Sequence, residues 1–124
     1  MPLKWRGLNL YNMAQTIYKI DAEGKAPGRL ATEICAVLQG KNRPDWAPNV
    51  DNNTLVEVSN AGKMKVSGKK MENRIYYDHS GYPGGLRARR MKELSPEEII
   101  KRTVSKMLPK NRFRDKRLKR IIVK

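Results

Sequence analysis

Apolar and polar side chains alternate over Thr16-Ile-Tyr-Lys-Ile20, the period-two pattern of a strand with one buried face. Asp21 to Gly24 closes it with turn chemistry. From Pro27-Gly28 the period changes. Leu30, Ile34, Val37 and Leu38 recur at i, i+4, i+7 and i+8, which sets them on one stripe of a helix, and Gly40 is placed to end it. Cys35 borders that stripe as a small hydrophobe. Residues 41–53, with two prolines, several Asn and Asp, and Trp46, read as a loop. Thr54 to Ser59 is a second strand with Val56 and Val58 on one face. Strand, helix and strand over this length predict a βαβ unit, with parallel pairing and a right-handed crossover.

Asn60-Ala61-Gly62 breaks the second strand, and Lys63 to Val66 is a short segment of open assignment ended by Ser67-Gly68. Arg74 to Asp78 predicts a third strand, followed by the glycine-rich loop Ser80-Gly81-Tyr82-Pro83-Gly84-Gly85. The second long helix carries the best local signature: Ser95 as N-cap, Pro96 in the first position and Glu98 to complete a capping box. Glu97 and Glu98 suit the positive helix end. Ile100, Val104, Met107 and Leu108 form its expected buried face, and Pro109 ends it. Residues 110–117 are too basic for a core helix and allow one short turn, and Leu118 to Val123 alternates as a closing edge strand. No internal repeat is visible. The expected architecture is a small α/β domain over residues 16–124, a four-stranded, largely parallel sheet with helices packed on it. Residues 1–15 precede it as a polar extension with Trp5 and Tyr11 as isolated anchors and Met13 as an alternative start.

Length and composition narrow this picture. A chain of 124 residues makes one domain and can bury a real core. Its single cysteine excludes an internal disulfide framework and a cysteine-based zinc site. No apolar run approaches the roughly 18 residues of a membrane span, no secretory signal pattern is present, and a reducing compartment is expected.

Charge changes the picture most. The net charge is +15. Residues 1–62 hold 7 basic and 6 acidic side chains, whereas residues 63–124 hold 20 and 6. A body so charged repels itself and is best neutralised by a polyanion. Nucleic acid fits because each phosphate neutralised also releases condensed counterions. An anionic membrane fits less well, since it calls for an amphipathic helix with a large apolar face.

The excess gathers in four clusters: Lys69, Lys70 and Arg74; Arg87, Arg89, Arg90 and Lys92; Lys101, Arg102 and Lys106; and Lys110, Arg112, Arg114, Lys116, Arg117, Lys119 and Arg120. One such run is as often a solvated face as a binding surface. Four runs with only six acids to pair them point to phosphate. Arginine grips phosphate with a planar fork and stacks on exposed bases. Gly81, Gly84 and Gly85 let the backbone approach a phosphate, and Tyr82 can stack on a base or ribose. The same loop also reads as a plain turn between two elements.

An enzyme has little support. There is no GxxxxGK[ST] and no GxGxxG after a strand. His79 is the only histidine, and no pair of carboxylates has metal-ligand spacing. As a general base it would make the chain a small basic ribonuclease. As a phosphate-contacting or structural residue, the reading preferred here, it needs no partner acid, and adjacent Asp78 points to the opposite strand face. No catalytic residue, metal or cofactor is expected.

Several stretches, in order over about residues 16–123, resemble one family: Asp21-Ala22, Gly28-Arg-Leu-Ala-Thr32, Leu38-Gln-Gly-Lys41, Asn60-Ala61, Val66-Ser-Gly-Lys69, Tyr76-Tyr-Asp-His-Ser-Gly81 through Gly84-Gly85, Met107-Leu-Pro-Lys110 and Arg117-Leu-Lys119. The chain is similar to the thirteenth protein of the large ribosomal subunit. The resemblance implies a three-layer α/β/α domain and a structural role in binding rRNA early in subunit assembly, beside neighbouring large-subunit ribosomal proteins. It implies no membrane association and no homo-oligomer. It also implies that the glycine loop with His79, the Met-Leu-Pro-Lys corner and the C-terminal segment face rRNA. The expected RNA-binding set is Lys41, Arg43, Lys69, Lys70, Arg74, His79, Gly81, Tyr82, Gly84, Gly85, Arg87, Arg89, Arg90, Lys110, Arg112, Arg114, Lys116, Arg117, Lys119 and Arg120. There are departures. Asn52-Asn53 stands where the family has Gly-Asp, and Asn111-Arg-Phe-Arg114 replaces a Gly-Pro-Leu-Gly-Arg-like turn, so the implied contacts are weakest around residues 111–114. Little chain follows the last strand. These changes point to a divergent lineage, with bacterial and organellar ribosomes both open, and a regulatory RNA binder outside the ribosome stands as a further alternative.

Overall fold

The computed structural model describes residues 16–44 and 46–124; the expected extension with Trp5, Tyr11 and Met13 lies outside the described residues. In chain order the elements are β1 (Thr16–Asp21), α1 (Pro27–Gln39), β2 (Thr54–Ser59), α2 (Lys70–Asn73), β3 (Ile75–His79), β4 (Leu86–Arg90), α3 (Pro96–Met107), α4 (Phe113–Leu118) and β5 (Ile121–Val123), with 3₁₀ turns at Ala61–Lys63 and Met91–Glu93. The fold is mixed α/β.

The βαβ unit forms as its pattern predicts. β1 and β2 run parallel, from Thr16 opposite Thr54 to Asp21 opposite Ser59. Pro27 starts α1 at a position where its missing N–H costs nothing. Gly40 ends it at φ 77°, with the Gly40 and Lys41 N–H groups bonded back to Val37 and Ala36. A Cβ at Gly40 would also overlap the buried Asn52 side chain, so backbone and packing both demand glycine there. Leu30, Ala31, Ile34, Cys35 and Leu38 are buried on α1 while Val37 is only half-buried. The buried face is wider than one stripe because α1 lies between two partners. Val56, Val58 and Ile121 of the sheet share one core cluster with Ile100, Val104 and Leu108 from the α3 side. Each fully buried aliphatic contributes about 1.5–3 kcal/mol.

The single four-stranded sheet does not form. The parallel sheet has three strands in the order β1-β2-β5, and a separate two-stranded sheet pairs β3 with β4. The expected third strand, Arg74 to Asp78, begins at Ile75 and runs to His79, and its partner is Leu86–Arg90, antiparallel, with Ile75 opposite Arg90 and His79 opposite Leu86. Leu-Arg-Ala-Arg-Arg reads as a charge run because its hydrogen-bonding partner, not a hydrophobic face, makes it a strand. The closing strand is also shorter than Leu118 to Val123. Leu118 ends α4, and only Ile121–Val123 pairs with β2.

On α3, Ser95 Oγ accepts the Glu98 N–H at 3.3 Å, the N-cap expected. Met107, expected in the buried face, is 45 % exposed, and Ile99 is buried instead. The reason is that α3 packs on two bodies. Ile100 and Val104 meet the main core, while Ile99 joins Tyr76, Met91 and Leu94 under the β3–β4 hairpin.

Candidate nucleic-acid interface

The hairpin is built by its turn. Gly81 and Gly84 sit at φ 89° and 76°, in the left-handed region that glycine enters without strain. A Cβ on Gly85 would press on the Tyr82 carbonyl and the Ser80 side chain. The Gly85 N–H closes the loop on Tyr82 O at 3.0 Å, leaving the Tyr82 ring 76 % exposed at the tip. The Gly81 N–H donates to His79 Nδ1 at 2.9 Å. That bond occupies the ring's Nδ1 lone pair, which places the ring N–H on Nε2 as a donor suited to a phosphate oxygen. His79, Ser80 and Gly85 line a depression of about 450 Å³ with Asp78, Arg87 and Arg89.

The two faces of the hairpin differ. Tyr76 and Asp78 point toward α3. Asp78 accepts from Arg102 at 2.6 Å and from Arg89 at 3.4 Å, and Arg89 also lies 3.8 Å from Glu98. The Arg102 hydrogen bond holds the Asp78 carboxyl below its usual range, and the same bond raises Arg102. Arg74, Arg102 and Lys106 surround the Tyr76 ring at 5.4–5.6 Å from its centroid. On the other face Ile75, Tyr77 and Leu86 are exposed, beside His79 and Arg90. Among the described residues Arg87 has no ion pair.

The C-terminal cluster divides. Asp51, in the loop before β2, takes Arg120 in a two-pronged grip, Oδ1 to Nη1 at 2.8 Å and Oδ2 to Nη2 at 2.7 Å. Arg120 Nη1 also donates to the Asn52 carbonyl. Arg117 is 4 % exposed, with Nε 3.6 Å from Asp51 Oδ1 and no hydrogen-bond partner there. Burial acts to raise the Asp51 pKa, but the Arg120 hydrogen bonds and the charges of Arg120 and Arg117 outweigh it and hold the carboxyl below its usual range. Arg117 and Arg120 are thus committed to the interior. Lys110, Arg112, Lys116 and Lys119 stay exposed and Arg114 half-buried, with Arg112 over the Phe113 ring at 5.1 Å.

The remaining expected residues are scattered around this body. Lys41 lies 5.7 Å over Trp46, and Arg43 donates to Thr16 Oγ1 at 2.9 Å, tying the loop to β1. Lys69 and Lys70 are exposed at the start of α2, where Arg74 follows. Sequence reasoning passed over Asp51, whose partners lie 66 and 69 positions away, and Arg29 and Lys65, which line a cleft with Lys70 and Arg74. Arg29 in the first helical turn was the one available signal. Among the described residues no group of three or more His, Cys, Asp or Glu is placed to hold a metal. Burial pushes the Cys35 thiol up to about 11, so it is not a nucleophile. No helix among the described residues is long and apolar enough to cross a membrane.

An α/β core carrying fringes of exposed arginine and lysine that have no carboxylate partner among the described residues is a surface of the nucleic-acid-binding class. Comparison with known proteins makes it particular. Residues 15–123 match the family described as Ribosomal protein L13. The chain is 50 % identical over 107 residues to the large ribosomal subunit protein uL13 of Thermosipho africanus (strain TCF52B), covering 84 % of this chain and 72 % of that one. Against uL13 of Aquifex aeolicus (strain VF5) the identity is also 50 % over 107 residues, 84 % and 74 % of the two chains. Against that of Clostridioides difficile (strain 630) it is 49 % over 109 residues, 86 % and 76 %. The chain belongs to the ribosomal protein L13 family.

Proposed function

We propose that this protein is a non-catalytic structural constituent of the large ribosomal subunit that binds rRNA and supports early subunit assembly, in contact with neighbouring large-subunit proteins. The observation that carries this reading is the set of exposed cations that have no carboxylate partner among the described residues: Arg87 beside the glycine loop, Lys69 and Lys70 at α2, and Lys110, Arg112, Lys116 and Lys119 at the C-terminal segment. Phosphate contacts supply the affinity, and the shape of the folded RNA supplies the specificity. The rigid α/β body, residues 16–124 in this reading, sets the spacing between those contacts, with residues 1–15 as an extension. The three-layer α/β/α arrangement belongs to the same proposal. The Ile17–Ile122 face of the parallel sheet, with those side chains 54 % and 40 % exposed, is the face a third layer covers.

A ribonuclease centred on His79 is not favoured, because the lone pair on Nδ1 is already taken by the Gly81 N–H. Two experiments test the proposal. With roughly 6–10 phosphates engaged, rRNA affinity falls roughly 10³–10⁵-fold between 50 and 200 mM salt, and a flat response in a filter-binding titration counts against it. The tagged chain sediments with large subunits on a sucrose gradient if it is a ribosomal constituent, and away from them if it acts as a regulator elsewhere.

A further inference from the structure

A cleft of about 510 Å³ opens between the first turn of α1, residues 65–67, α2 and the C-terminal half of α3. Arg29, Lys65, Lys70 and Arg74 line it, together with Met91 and Met107. No carboxylate is among its lining residues. Arg29, Lys65 and Lys70 have no ion pair among the described residues, although acids elsewhere in the chain find partners readily. Concentrating like charge in a concave site focuses the field and is unfavourable until an anion enters.

The shape narrows the anion. The volume falls within the roughly 300–1,000 Å³ of small-ligand sites. The backbone of an intact duplex lies across a surface and has no part that fills such a depth. One nucleotide does. Its phosphodiester matches the cations, and its base matches the other half of the lining. Arg74 rests over the Tyr76 ring at 5.4 Å, which holds the guanidinium at the cleft, where a base can stack on it. Met91 and Met107 supply a soft, adaptable apolar wall.

We propose that this cleft receives a single nucleotide turned out of folded RNA, its phosphodiester held by Arg29, Lys65 and Lys70 and its base stacked on Arg74 against the two methionines. The inference rests on the RNA-binding reading above and extends it from a charged surface to a site with a defined occupant. The shared chemistry is a nucleotide phosphate ester, which RNA or a free mononucleotide can present.

The test uses the full chain and two synthetic RNA hairpins, identical except that one carries a single looped-out adenosine, with fluorescence anisotropy as readout and AMP as competitor. The bulged hairpin binds about tenfold more tightly than the paired one, in line with the stacking of one base. Arg74→Ala reduces that preference to within about twofold. So does the double variant Arg29→Gln/Lys70→Gln, which changes only exposed side chains without ion-pair partners and so leaves the fold intact. AMP that displaces the bulged hairpin from the unaltered chain but not from the double variant supports the same site with a free nucleotide as its source. Equal affinity for both hairpins with a steep salt dependence overturns the cleft proposal and leaves the RNA-binding reading standing. Weak, salt-independent binding of both overturns the two together.

Discussion

Arg120 and Arg112 belong to one run of charge, eight positions apart, yet the molecule treats them differently. Arg120, with Arg117, closes on Asp51 and joins the C-terminal segment to the loop before β2. Arg112 lies over the Phe113 ring, and like Lys110, Lys116 and Lys119 it has no acid to neutralise it among the described residues. The hairpin repeats the division at smaller scale. Arg89 and Arg102 converge on Asp78, while Arg87, directly opposite Asp78 in the strand register, makes no ion pair among the described residues. The lesson is that a basic run mixes two populations. Cations that meet a carboxylate across the fold hold the body together, and the rest are available to phosphate.

Asp51→Asn has the largest expected effect and tests that division by sign. It leaves the buried Arg117 and the nearly buried Arg120 without a counter-charge, which costs about 3–5 kcal/mol in a urea denaturation. Because it raises the net charge by one, counting charge alone forecasts tighter RNA binding. If Asp51 holds the C-terminal segment in place, binding weakens instead, and tighter binding with unchanged stability would break the comparison.

Acid sharpens it next. The native pKa values of Asp51 and Asp78 lie below the ordinary value, so their contribution is present in full above the unfolded-state value, about 3.9. It is lost as pH falls from there through the lower native values. The urea midpoint should therefore drop between pH 6 and pH 3, and Asp51→Asn should show a smaller drop than the unaltered chain.

Ser95→Ala, at the N-cap of α3, removes the bond to the Glu98 N–H and costs about 1 kcal/mol. Since α3 carries Arg102 to Asp78, thermal melting should register this loss while the salt slope of RNA binding stays the same.

The smallest stability effect belongs to the free set. Lys116→Gln and Lys119→Gln should each leave the melting temperature nearly unchanged, within about 0.5 kcal/mol, and each should lower the salt slope by about one. Arg120→Gln should show the reverse balance, with a clear stability loss and a slope change no larger than theirs.

Much of the scaffold was legible along the chain. The period of Leu30, Ile34 and Leu38, the stop at Gly40, the Ser95 cap and the Val56–Val58 face each announce a local state through side-chain spacing or backbone preference, and the structure shows those elements where they were expected. The family resemblance rested on motifs such as His79-Ser-Gly-Tyr-Pro-Gly-Gly85, and the comparisons bear it out. β4 was not legible, because Leu86-Arg-Ala-Arg-Arg90 has no periodic apolar face, and a strand made by its partner's hydrogen bonds leaves little trace in its own residues. The exposed Met107 and buried Ile99 were misassigned for a related reason: one stripe was expected on a helix that has two neighbours.

The sequence by itself determined the two long helices, the parallel βαβ unit, the excess of positive charge and the family, since propensity, periodicity, composition and motif are local or additive properties. Only the tertiary structure decided which arginines are spent inside. Arg117 and Arg120 differ from Lys116 and Lys119 in what the fold brings across some 66–69 positions. A carboxylate at that distance along the chain governs their charge only once packing has carried it to within a few ångströms.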